Sequence, residues 1–160
     1  MTIAVGDTIP AVDVRIMRDG APVVVSSTEI LGSGHVVLFA VPGAFTPGCS
    51  KQHLPGFISK AAELTSAGVD SIVCLGVNDV FVMGAWAKDQ GITDEVTLLA
   101  DGNADFTRAI GLEFDGSKFG MGVRSQRYSM VVNDGVVEKL NVEEGGEFKV
   151  SAADYMLEQL

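Results

Sequence analysis

The sequence predicts an α/β fold, a mixed central sheet flanked by helices with a β-hairpin added at the N-terminus. Three observations lead there. Two continuous apolar runs, His35–Val41 and Ser71–Val77, read as buried strands. Between them, Leu54, Phe57, Ile58, Ala61, Ala62 and Leu64 fall at helical spacing. Strand, helix and strand make a βαβ unit with parallel strands and a right-handed crossover. The third observation is a pair of hairpin signals, Asp19-Gly20 and Asn133-Asp134-Gly135, each between stretches of strand character.

Taken in order, Val5–Pro10 is an extended lead-in. Val12–Ile16 alternates as a half-exposed strand does, and Pro22–Val25 is its return. Ser26-Ser27-Thr28-Glu29 has helix N-cap chemistry, so a short helix runs to Leu31. Gly32-Ser33-Gly34 breaks it before the strand His35–Val41. One helix is expected over Lys51–Ala67, kinked near its start by Pro55-Gly56 and closed by Gly68. After the strand Ser71–Val77, Asn78 or Asp79 caps a helix to Asp89 that contains Trp86. Val96–Ala100 is a strand, and a short helix ends at Gly111. Leu112–Gly122, with Gly116, Gly120 and Gly122, reads as a surface loop. Arg127–Val132 and Val136–Leu140 flank the second hairpin turn. Glu143–Glu147 is an acidic loop, and Ser151 is placed to cap a C-terminal helix to Gln159. This order suggests the thioredoxin-like sandwich.

Bulk properties narrow the function. The 160 residues suit one domain, 1–160, with a sizeable core. The net charge of −10 disfavours nucleic acid and anionic membranes as partners. No run approaches the roughly 20 apolar residues of a membrane span, and Met1–Asp7 lacks the pattern of a signal peptide. Two cysteines are too few for a disulfide scaffold, so a reducing compartment, the cytoplasm, is expected unless a targeting segment has been removed. Cys49, His53 and Cys74 lack zinc-site spacing, and neither a metal nor an organic cofactor is implied.

The chemistry centres on Pro42-Gly43-Ala44-Phe45-Thr46-Pro47-Gly48-Cys49-Ser50. A cysteine here stands where a central strand ends and a helix begins. Unpaired N–H groups at a helix start carry partial positive charge and favour the thiolate. Thr46, three residues earlier, can bring a hydroxyl near the sulfur, while Pro42 and Pro47 stiffen the loop. A lone cysteine is often only a small buried hydrophobe. The prolines, glycines and threonine around this one answer no packing need.

These residues, with His53 and Pro55-Gly56-Phe57, resemble the active-site signature of the peroxiredoxins, closest to the type II or class V subfamily. The similarity continues through Val77-Asn78-Asp79, Phe81-Val82-Met83, Trp86, Leu99-Ala100-Asp101, Arg124, Arg127–Val132 and Asp134-Gly135. The resemblance implies a thiol peroxidase on a thioredoxin-like fold, acting on hydrogen peroxide and alkyl hydroperoxides. Cys49 would be the nucleophile that becomes a sulfenic acid. Thr46 and Arg127, in the Pro42 frame, would be its catalytic partners, and the N–H of Gly48 a further donor. Arg127 takes the arginine role because it directly precedes Tyr128; Arg124 serves in part or lies on the rim. Phe45 and the aromatics near Phe119 would form an apolar collar, with Phe81, Met83, Trp86 and Phe106 assigned to packing. His53 either holds the loop in shape or acts near the sulfur, and His35 is structural.

Recycling stays open. The resemblance allows Cys74 as a resolving cysteine, yet its apolar strand favours a structural role. No cysteine stands near Val150-Ser151, so that route is lost, and an external thiol remains: glutathione with glutaredoxin, or thioredoxin. A homodimer is expected from the resemblance alone. A peroxide-sensing switch or a holdase-like binding protein using Cys49 is the alternative. A general disulfide oxidoreductase is disfavoured because Thr46 stands where a CxxC motif has its first cysteine.

Overall fold

The computed structural model describes residues 1–160. Seven strands form one sheet in the order β2-β1-β5-β4-β3-β8-β9. They are β1 Asp13–Arg18, β2 Ala21–Ser26, β3 His35–Val41, β4 Ser71–Gly76, β5 Thr97–Ala100, β8 Tyr128–Asn133 and β9 Val136–Val142. Strands β3, β4 and β5 are parallel, while β1 and β8 run antiparallel to their central neighbours. The mixed sheet and the N-terminal hairpin β1–β2 are as the sequence predicts.

The continuous apolar runs make sense because the central strands are covered on both faces. Val37, Phe39, Val41 and Cys74 pack under α2 (Leu54–Ser59), α3 (Ala61–Ser66), α4 (Val80–Asp89) and α6 (Ala153–Gln159). Val36, Leu38, Ala40 and Leu75 face Leu31 of α1 (Ser27–Leu31) and Phe106 of α5 (Asp105–Ala109). Each fully buried Leu or Phe contributes about 1.5–3 kcal/mol. The caps follow local chemistry. Ser26 accepts from Thr28 N, and Asp79 accepts from Val82 N at 2.8 Å.

Four features differ from expectation. The helix after β3 is not one piece. It opens at Pro47, passes through a π-helical turn over Cys49–His53, continues as α2 and breaks at Lys60 before α3. Pro55 has no N–H to donate and its ring crowds the carbonyl four residues back. The chain takes the wider turn instead, with Leu54 N bonded to Cys49 O. The stretch read as a loop folds into a small hairpin, β6 Glu113–Asp115 against β7 Val123–Ser125. Three-residue strands are too short to show alternation. Ser151 does not cap α6; its hydroxyl donates to Glu143 Oε2 at 2.6 Å. Phe81, assigned to packing, is 64% exposed, because it lies on the outer side of the first turn of α4, whereas Met83, Trp86 and Phe106 are buried.

Candidate active site

Cys49 lies in the π-helical turn just past the end of β3, fully buried. Pro47 occupies the first helical position, where a missing N–H costs nothing. Ser50 N bonds to Thr46 O at 2.9 Å, closing the first turn. Trp86 Nε1 donates to Ser50 Oγ at 2.9 Å and Gln90 Nε2 to Ser50 O at 3.1 Å, which anchor this turn to α4. Phe45 is held at φ +64°, a left-handed conformation that a phenylalanine rarely adopts. Its side chain is 51% exposed and Phe119 is 68% exposed, so both lie open to solvent.

The arginine directly before β8 reaches across to the cysteine. Arg127 Nη2 donates to Cys49 Sγ at 3.1 Å, and Arg127 Nη1 lies 2.7 Å from His53 Nδ1. A guanidinium can only donate, so His53 Nδ1 accepts. His53 must then carry its proton on Nε2, which meets the Ser151 carbonyl at 2.9 Å. Burial, and then the neighbouring Arg127 charge, lower the His53 pKa to about 3, opposed by the bond to Ser151. His53 is therefore neutral across physiological pH. It is also sealed from solvent, held between Arg127 and the Ser151 carbonyl. Phe39 lies against one side of its ring at 4.8 Å and Phe148 meets it edge-on at 5.0 Å. Phe148 also sits 5.7 Å from the Arg127 guanidinium carbon.

Thr46 Oγ1 donates to Gly43 O at 2.7 Å, so its proton is committed to the loop and its oxygen lone pairs remain to accept. Gly48 approaches Arg127 closely: a Cβ there would stand 3.4 Å from Nη2. Arg124 does not reach the sulfur. Its Nε donates to Met121 O at 3.0 Å and its Nη1 to Pro42 O at 3.4 Å, which ties the β6–β7 hairpin to the cysteine loop. A cleft of about 540 Å³ opens beside Pro42 and Arg127, walled by Glu113, Asp115, Phe119 and Glu143. A larger groove of about 840 Å³ between β1 and α4 holds neither cysteine nor histidine.

Cys74 lies on β4 opposite Phe39 of β3, on the same sheet face as Cys49, and both cysteines are free thiols. Complete burial, then the neighbouring Cys49, push the Cys74 thiol well up from its ordinary range. His35 opens β3 with Nδ1 3.2 Å from Gly68 O, a bracing contact at the strand's end.

No sequence signal marks Glu143. It reads as part of a solvated acidic loop, yet its Oε2 accepts from Lys149 N at 2.7 Å, Ser151 N at 2.9 Å and the Ser151 hydroxyl. No spacing rule links a residue just past the end of β9 to Arg127 or His53; only the fold brings them together.

Comparison with known proteins agrees with this geometry. The Redoxin family model matches residues 4–157. Peroxiredoxin-2E-2 of rice, a chloroplastic protein, is 52% identical over 99% of this chain and 73% of its own length. Peroxiredoxin-2B of Arabidopsis thaliana is 47% identical, covering 99% and 98% of the two chains. The crystal structure of reduced Prx3 from Vibrio vulnificus in complex with hydrogen peroxide superposes with a TM-score of 0.94 at 47% identity, over 99% of each chain. With a thioredoxin-like sheet, a cysteine at its central edge and full-length relatives of this kind, the chain belongs to the redoxin family and, within it, to the type II peroxiredoxins, enzymes that reduce peroxides with thiols.

Proposed function

We propose that Cys49 is the sulfur that reacts with peroxide, through a sulfenic acid. The thiolate attacks one peroxide oxygen; the S–O bond forms as the O–O bond breaks. Sulfur gives up two electrons. The departing oxygen leaves as hydroxide or alkoxide and takes a proton to become water or an alcohol, and Cys49 is left as a sulfenic acid. Negative charge moves from sulfur to oxygen along the reaction path. A permanent cation with two directed donors suits that path. The observation that carries the reading is Arg127 Nη2 at 3.1 Å from Cys49 Sγ. Thr46, with its proton held by Gly43, accepts the peroxide's O–H and turns the O–O bond toward the sulfur. Pro42 and the N–H of Gly48 shape the opposite wall.

An external thiol, glutathione with glutaredoxin or thioredoxin, returns Cys49 to the thiol. Burial of Cys74 and its strongly raised pKa support this route over an internal disulfide. The chain works as one domain, as a homodimer, and in a reducing compartment, either the cytoplasm or an organelle such as that of its chloroplastic relatives. The test is hydrogen peroxide consumption with each thiol system as donor. Cys49→Ser removes it and Cys74→Ser keeps it. Wild-type consumption by Cys49→Ser overturns the assignment, and a single oxidation without turnover favours a redox switch.

A further inference from the structure

We propose that Glu143 is a positioning residue for peroxide reduction, holding Arg127 on Cys49 from both of its ends. The proposal rests on Cys49 being the reacting sulfur. At the main chain, Glu143 N donates to Arg127 O at 3.0 Å, fixing where the arginine leaves the sheet. At the side chain, the link runs through two residues, Ser151 and His53. One carboxylate oxygen of Glu143 gathers Lys149 N, Ser151 N and the Ser151 hydroxyl. This seats the fully buried Ser151 with its carbonyl on His53 Nε2. His53 Nδ1 then receives Arg127 Nη1, which leaves Nη2 aimed at the sulfur.

The segment needs such a clasp. Gly145 and Gly146 both have positive φ, and residues 144–147 are largely exposed. Apart from the Glu143 clasp and His53, residues 149–151 are held by Ser129 Oγ to Val150 O at 3.4 Å and by an exposed ion pair of Lys149 with Glu147 of the same segment at 3.6 Å. Phe148, which touches His53 and lies near Arg127, rides on the same segment. Without the clasp, Ser151 is free to move from His53, and the guanidinium loses its alignment. Burial works to raise the Glu143 pKa, but the hydrogen bonds from Ser151, Lys149 and Val150 together outweigh it and hold the carboxyl below its ordinary range, so the clasp is ionised at neutral pH.

The experiment compares two reactions of the same sulfur. Oxidation by hydrogen peroxide needs Arg127 at the breaking O–O bond. Alkylation by iodoacetamide needs the thiolate but no donor at a breaking O–O bond. In Glu143→Ala the oxidation rate constant falls about tenfold, roughly the loss of one oriented hydrogen bond, while alkylation changes less than about twofold. Glu143→Gln, which keeps an acceptor oxygen, recovers part of the loss. Ser151→Ala keeps the backbone donors and the carbonyl; its oxidation rate falls about threefold. If the alanine variant does not fold, Glu143→Gln and Ser151→Ala decide. An oxidation-to-alkylation ratio equal to wild type in the folded variants overturns the proposal, as does an equal fall in both rates. Failure of the underlying reading looks different: the wild-type protein's Cys49 is then not the atom oxidised, as peptide mass analysis reads directly.

Discussion

Arg127 stands between Cys49 and His53, one guanidinium nitrogen on the sulfur at 3.1 Å and the other on the imidazole at 2.7 Å. The two bonds use adjacent prongs of one planar fork. A lysine has a single point charge on a flexible stem and cannot serve both partners in that geometry. Arg127→Lys is therefore expected to lower the rate constant for peroxide oxidation of Cys49 by about 10²-fold, the scale of losing an oriented charge-stabilising donor. Stopped-flow oxidation of the reduced protein checks it. A loss under about threefold would show that charge alone is enough.

His53 gives a signed pH prediction. Its pKa is about 3 in the folded protein, against about 6.5 when unfolded. The unfolded chain thus binds the extra proton first as pH falls. Stability is full above about pH 6.5 and declines as pH drops from there toward 3. Chemical denaturation midpoints between pH 4 and 8 should slope down on the acid side, and His53→Gln, which cannot titrate, should flatten that slope. The oxidation rate, in contrast, should show no step attributable to His53 across pH 5–8.

The Glu143 carboxyl shifts the same way on a lower scale. Its folded pKa is depressed, so the stability it supplies is present above the unfolded range of about 4.3 and is lost as pH falls through the folded value. Glu143→Gln should remove this part of the acid dependence and leave the His53 part, a separation that titration of the double variant reads out.

Cys74 should behave as core. Cys74→Ala leaves a small void beside Phe39 and Cys49 and costs about 1–2 kcal/mol of stability, with Cys49 oxidation retained. After one equivalent of hydrogen peroxide without reductant, intact mass should rise by one oxygen with Cys74 still titrating as a thiol after unfolding. Loss of both thiols at monomer mass would mean instead that the turn at Cys49 unwinds and the two sulfurs join.

The bond from Trp86 Nε1 to Ser50 Oγ ties α4 to the reactive turn. Ser50→Ala orphans a buried indole N–H, at about 1–3 kcal/mol. A lowered denaturation midpoint, with a shift in the emission of the only tryptophan, would check it.

Much was legible in the chain itself. His35–Val41 and Ser71–Val77 announce central strands because a strand buried on both faces must be apolar at every position. Asp79 announces a helix start because its carboxylate satisfies Val82 N locally. The run from Pro42 to Cys49 announces chemistry because no core needs such a loop. All of these are interactions within a few residues, or consequences of burial, and sequence records both directly.

The rest depended on distant parts meeting. Pro55 predicts a disturbance, but whether the chain kinks or widens into the turn at Cys49 depended on where α2 had to pack. The hairpin β6–β7 rests on pairing between strands too short to carry a pattern. Arg127 was within reach of sequence reasoning through its place before Tyr128; its partner His53 and the clasp at Glu143 and Ser151 were not. Those contacts join residues 74, 98 and 8 positions apart. Sequence determined the central strands, the candidate cysteine and the family. The tertiary structure alone decided which groups surround the sulfur, because a guanidinium, an imidazole and a carboxylate become neighbours only once the sheet has fixed the ends of β3, β8 and β9 together.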